Sequence, residues 1–437
     1  MIIVGAGLSG LYAARLLEQN GLRVRVLEAG GRVGGRVMTL DDILGKPEGG
    51  GTEIGERYAR VVATAQELGL PLEPSGGVGR AAGMIYHVNG GFVSPQDWPT
   101  SALNTVGGQA RTLPPAQLLF ALMAKANPLA DLEAWRDPAH AAQDVPLADW
   151  LKARGLDEEA IRLIDANANF NNVRTVSPLH VFRSLTFRSF QDSPRTFNVA
   201  GGNSRLTEAM AGALKGEVVL NAPVAAVESG TAGVTVRTRD GRTHVARFAI
   251  LTLPMTQLRK VRLDPQPPAA QAAAIRELDY TRITQVHLGI TDAFWERDGM
   301  PATMWTDGPL DRVFATGFEG DRPTRLTVWL NGRGADGLDR LEPKAAMDFV
   351  LDTLARMRPS TKGAVRPLGI TSWQRNPLAG GAYAEWQAGQ IARFAREMAE
   401  PLGRVHFAGE HTAVLNNGME GAMESGERAA IEVMDRA

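Results

Sequence analysis

The chain has 437 residues, 44% of them hydrophobic and 22% charged, a soluble globular composition that is too long for one compact core and suggests two domains. Lys and Arg number 47 against 48 Asp and Glu, and the net charge of −1 excludes recruitment by nucleic acid or an anionic membrane. No cysteine is present, which excludes disulfides, thiolate metal sites and cysteine nucleophiles; 7 histidines without paired spacing argue against a metal site.

The first element is a short buried strand at Ile2-Ile3-Val4, with no export signal before it, so a cytoplasmic protein is expected. It runs into Gly5-Ala6-Gly7-Leu8-Ser9-Gly10. Leu8, Leu11, Tyr12, Leu16 and Leu17 then recur at helical spacing as far as Asn20-Gly21, and residues 23–27 form a second strand ending on Glu28. This is a dinucleotide fingerprint in its strand–turn–helix–strand setting. Gly5 permits the tight turn, Gly7 lets a pyrophosphate approach the helix N-terminus, and Gly10 lets the helix pack on the strand. Glu28 stands where a carboxylate accepts both adenosine ribose hydroxyls and repels a 2′-phosphate.

Fingerprint and acid alone do not separate NAD from FAD. Arg32-Val33-Gly34-Gly35-Arg36 and Gly49-Gly50-Gly51-Thr52-Glu53-Ile54-Gly55 follow at once, and arginines flanked by paired glycines suit a long dinucleotide threading past backbone. This stretch resembles the flavin-containing amine oxidase family, which includes monoamine, polyamine and L-amino-acid oxidases. The resemblance is strong at 1–75, 198–260, 280–296 and 370–437, and between 76 and 197 is one of length and layout.

In the middle of the chain, residues 84–93 read as a hairpin around Asn89-Gly90-Gly91, and 114–125 and 146–154 as helices. Residues 197–206, with Gly201-Gly202, return the chain to the flavin domain. Alternation predicts antiparallel strands at 218–227, 234–239 and 245–253, and Val224 matches the family residue whose backbone meets the adenine. In 279–295, read as a strand entering a helix, Thr284, Val286 and Leu288 point one way and Gln285, His287 and Gly289 the other.

The tail carries the most specific match. Residues 405–412 are a strand ending in a turn, and Asn417-Gly418-Met419-Glu420-Gly421-Ala422 opens a helix. The resemblance puts Gly409, Gly418 and Met419 at the flavin and Glu410 on its polyol chain; the helix dipole there favours the anionic reduced flavin. The membrane-bound relatives continue into an apolar anchor where this sequence stops. With no apolar run long enough to span a bilayer, no membrane association is expected.

The resemblance implies an α/β fold: a Rossmann-like FAD-binding domain at 1–75, 198–260 and 380–437, with a discontinuous α+β substrate domain at 76–197 and 261–379. It implies oxidation of a C–N bond of a relatively bulky amine or amino acid, with hydride transfer to flavin N5, an imine hydrolysed to a carbonyl, and reoxidation by O2 or another acceptor. The partners are thus a small amine and an electron acceptor, and a homodimer is left open. FAD is bound non-covalently, because the position before the matching tyrosine, a cysteine in some relatives, is Ala382.

Three positions bear on catalysis. The family lysine that holds a water at N5 falls on Gln285, which carries no charge and puts fast reaction with oxygen in doubt; His287 on the same face is a candidate replacement. Tyr383 matches the first aromatic framing the amine. The second falls on Gly418, leaving room for a bulkier substrate or for an aromatic from elsewhere, with Trp386 the candidate. Arg80, Arg111 and Arg183 are candidates for binding a substrate carboxylate. The alternatives are a dehydrogenase or desaturase of the same fold acting on a non-amine substrate, and a non-catalytic FAD-containing binding protein.

Overall fold

The apolar triplet Ile2–Val4 is buried on both faces, as suits the middle of a parallel sheet. In the computed structural model, which describes residues 1–75, 83–166, 168–190 and 195–437, this strand lies between Arg25–Leu27 and Ala249–Leu251. Val218–Val219 and Val405–Phe407 extend the sheet on either side, and all five strands are parallel. Helix Leu8–Gln19 covers the sheet and packs on the last helix, Met419–Met434. Both approaches depend on glycine. A Cβ at Gly10 would stand 2.0 Å from the Gly5 carbonyl oxygen, and one at Gly426 would stand 2.4 Å from that of Ser9.

A four-stranded sheet, Thr243–Ala246, Val234–Thr238, Val224–Ser229 and Arg262–Asp264, stands beside the first. Two predicted strands are divided here. In 218–227 the chain leaves the parallel sheet after Val219, turns through Asn221 at φ 53° and Pro223, and enters the second sheet at Val224. In 245–253 it closes the antiparallel ladder at Ala246 and re-enters the parallel sheet at Ala249. Each run contributes apolar residues to two different sheets, so alternation alone hid the break.

A seven-stranded sheet runs in the order Val365–Ser372, Ile283–Ile290, Arg322–Asn331, Arg312–Glu319, Met304–Thr306, Ile85–Val88 and Gly91–Val93. Asn89 and Gly90 both have positive φ, the backbone required by the tight hairpin turn expected around them. Helices Pro115–Lys125, Leu147–Lys152, Glu158–Ala166 and Pro178–Ser189 build a core with buried Trp98, Trp135, Trp150 and Phe182. The short pair Asp279–Tyr280 and Ala384–Glu385 links the entry of strand Ile283–Ile290 to the segment carrying Tyr383. Among the described residues no helix is long and apolar enough to cross a membrane.

Candidate active site

Four of the five parallel strands end at one cavity of about 730 Å³. Gly5, Glu28, Thr252 and the Gly409–Glu410 pair, each just beyond a strand's C-terminal end, all line it. This is where open parallel sheets bind ligands. Two helices also begin at its wall, after Gly7 and after Gly418, and neither N-cap residue uses a side chain to close the helix end. The cavity therefore meets positive helix ends at two separate places, a fit for a long ligand anionic at two points; at the second, Asn416 Oδ1 accepts from the Gly418 and Gly421 N–H groups at 3.2 and 3.0 Å.

The polar groups between these places are already oriented. Glu28 accepts hydrogen bonds from Ala6 N–H at 2.8 Å and Gly30 N–H at 2.7 Å, so its carboxylate is fixed across the fingerprint turn. Arg32 donates to the carbonyls of Val33, Gly35 and Val37, holding the loop that contains Gly34 and Gly35. Arg36 donates to Ala382 O at 2.8 Å and to Glu410 Oε1 at 2.7 Å, and Glu410 also accepts from Ala384 N–H. One ion pair thus ties the Arg36 loop, the 382–384 segment and the last parallel strand together. Gly50, Gly51, Thr52, Val224 and Met419 complete this part of the wall.

At the other end the lining changes to Ile283, Gln285, Trp329, Trp373, Tyr383 and Tyr58. Gln285 is 1% exposed, and its Oε1 has no hydrogen-bond partner among the described residues. A buried acceptor facing a cavity without a partner has a desolvation cost that a bound donor would relieve. Tyr383 donates its hydroxyl to Asn169 O at 3.1 Å, and burial pushes its pKa up to about 12, so the phenol stays neutral.

Known proteins agree with this architecture. The family profile described as "Flavin containing amine oxidoreductase" matches residues 8–434. The chain belongs to the flavin-containing amine oxidoreductase family. It is 24% identical to bovine "Amine oxidase [flavin-containing] A" over 474 residues, covering 100% of this chain and 85% of the bovine one. A solved structure of wild-type putrescine oxidase bound to putrescine superimposes with a TM-score of 0.82 at 25% identity, covering 100% of this chain and 98% of that one. Cyclohexylamine oxidase from Brevibacterium oxydans IH-35A, at 22% identity, 100% and 98% coverage and a TM-score of 0.81, shares the fold. This flavin-containing amine oxidoreductase is accordingly an enzyme that uses FAD to oxidise amines.

Two expectations about its site require correction. Trp386 does not reach the cavity. It is fully buried against Trp135 and Phe394, with ring centroids 5.4 and 5.6 Å away, because the Ala384–Glu385 strand turns its successor into the helical core. His287 is likewise 1% exposed and does not line the cavity. Its Nδ1 lies 3.3 Å from Thr327 Oγ1, and burial, with the Arg325 charge second, lowers its pKa to about 3. A neutral histidine buried outside the cavity lining cannot supply the charge that Gln285 lacks.

The carboxylate-binding candidates fare similarly. Arg111 is bound to the carbonyls of Pro99, Ser101 and Asn104, and Arg183 to those of Ala413 and Val414; neither lines the cavity. Arg80 lies outside the described residues. The aromatics that sequence reasoning missed are Trp329, directly opposite Gln285 on the adjoining strand, and Tyr58, whose hydroxyl is 3.8 Å from where a Gly418 Cβ would be. The 322–331 alternation was a readable signal for Trp329; Tyr58 had none, since only the fold brings it to Gly418.

Proposed function

We propose that the cavity holds FAD with its adenosine at Glu28 and Val224, its pyrophosphate at the Gly7 helix end and its ring system between the Gly418 helix end, Gln285 and Tyr383. The observation that carries this reading is the pair of glycine-entered helix N-termini on one cavity, with a partnerless buried Gln285 at the end away from the fingerprint. Bound FAD supplies a two-electron acceptor for the Cα–H of the amine. The chain's own residues bind, orient and exclude water. Gly34, Gly35, Gly50 and Gly51 let the backbone approach the cofactor, and Arg36 keeps Glu410 in place for its polyol chain.

On the substrate side, Tyr383 and Trp329 present neutral aromatic faces between which an amine is positioned. Gln285 offers an acceptor to a water that can later attack the imine. Gly418 leaves space that Tyr58 borders without filling, which suits a relatively bulky amine. The domain division at 75/76, 197/198, 260/261 and 379/380 follows from the same reading, as the five- and seven-stranded sheets draw on separate stretches of chain. O2 or another acceptor then reoxidises the enzyme, in the cytoplasm.

Mixing the holoprotein anaerobically with a panel of amines and of alcohols tests this. Amines should bleach the oxidised flavin band and alcohols should not; bleaching by neither, or by alcohols alone, would refute it. Acid should release the flavin into the supernatant, since no cysteine is available for a thioether.

A further inference from the structure

One cross-strand row of the seven-stranded sheet runs Gln285, Trp329, Arg312, each directly opposite the next. Residues opposite one another in an antiparallel ladder share a face. Gln285 and Trp329 line the cavity; Arg312, the next residue outward on that face, lies beyond the lining itself. Its guanidinium carbon lies 6.0 Å from the Trp329 ring centroid, so it stands at the far edge of the aromatic wall.

The nearest charge to Arg312 is its chain neighbour Asp311, which does not make a direct ion pair with it. Nη1 donates to Asn169 Oδ1 at 2.8 Å and Nη2 to Asn331 Oδ1, both neutral acceptors, and Nε is buried with no partner. It forms no ion pair with any described residue. Asp311 is turned to the Asn331 N–H at 2.9 Å, and burial pushes its pKa up to about 6. Asn169 binds both sides of the site: its carbonyl takes the Tyr383 hydroxyl and its side chain takes Arg312. Arg188, exposed, without an ion pair among the described residues and over the Phe120 ring at 5.3 Å, is a second cation whose field reaches both Tyr58 and Tyr383. A partly buried guanidinium whose hydrogen-bond partners are amide oxygens keeps spare donor capacity at its terminal nitrogens, which suits a carboxylate.

We infer that Arg312 binds an anionic group of the substrate, a carboxylate carried several bonds away from the amine that is oxidised. Two strand spacings separate Gln285 from Arg312, about 10 Å between Cα atoms. An acid group on the amine-bearing carbon itself would fall short of Arg312, whereas an ω-amino acid spans the Trp329 face between the two ends. This inference rests on amine oxidation at Tyr383 and Gln285.

The test compares anaerobic flavin reduction by hexylamine and by 6-aminohexanoate in the wild type, Arg312→Gln and Arg312→Lys. In the wild type the carboxylate should raise reduction efficiency roughly 10- to 100-fold, the range expected of a charge-assisted hydrogen bond. In Arg312→Gln that ratio should collapse toward one, and Arg312→Lys, which keeps the charge without the fork, should lie between. A wild-type ratio of one or below, or a ratio unchanged in Arg312→Gln, would overturn the inference. Hexanoate binding, followed by perturbation of the flavin spectrum, is the second measurement. If neither amine reduces the flavin, the amine reading fails, and hexanoate then decides on Arg312 alone: weakened at least tenfold in the variants supports it, unchanged affinity overturns it.

Discussion

Removing the Glu28 carboxylate should loosen FAD more than it loosens the fold. In the structure this side chain accepts from Ala6 N–H at 2.8 Å and Gly30 N–H at 2.7 Å, spanning the fingerprint turn. Hydrogen bonds to a charged group contribute about 1.5–3 kcal/mol each. Glu28→Ala therefore removes about 3–6 kcal/mol of interaction from the turn, before any contact with the adenosine ribose is counted. If even about 3 kcal/mol appears in cofactor binding, the dissociation constant for FAD rises more than 100-fold. Glu28→Gln keeps the shape but sets an amide N–H₂ against a backbone donor, so it should fall between. Apoprotein titrated with FAD by flavin fluorescence gives the affinity, and the thermal midpoint of the apoprotein gives the share lost from the turn. An FAD affinity within threefold of wild type beside a lowered midpoint would show that Glu28 only braces the loop.

Tyr383→Ala should slow flavin reduction by a good amine about 10-fold or more while FAD affinity changes less than threefold, because the ring orients substrate; equal losses in both would indicate packing. With Gln285 uncharged and His287 neutral and outside the lining, reoxidation by oxygen in stopped-flow should be slow, and Gln285→Lys should accelerate it about 10-fold or more; rapid wild-type reoxidation would mean that another cation serves. Burial raises the Glu385 pKa from 4.5 to about 7, so the folded protein keeps a proton that the unfolded chain has released. That group's stability contribution is undiminished below pH 4.5 and is lost as pH rises through 7, by an amount on the order of 1–3 kcal/mol. Glu385→Gln should flatten the fall in thermal midpoint between pH 5 and 8, and an unchanged slope would argue that Glu385 ionises normally.

Where residues act through local backbone, the sequence was legible. The Gly5 turn, the Glu28 acid, the Asn89-Gly90 hairpin and the Gly418 helix start each occupy the position read for them, since spacing along the chain sets turn geometry directly. The apolar runs at 218–227 and 245–253 misled because two sheets share them. Trp386 misled because it lies three residues beyond Tyr383, where the chain has already turned into the helical core. Trp329, Tyr58 and Arg312 reach the site through strand pairing and tertiary packing across long stretches of chain, which no local pattern encodes.

The account stands most directly on the stoichiometry of a single anaerobic turnover. Holoprotein titrated with a primary amine should lose its oxidised flavin band completely at one amine per flavin and release one aldehyde and one ammonia. Full bleaching with no carbonyl product, or no bleaching by any amine at saturating concentration, would contradict it.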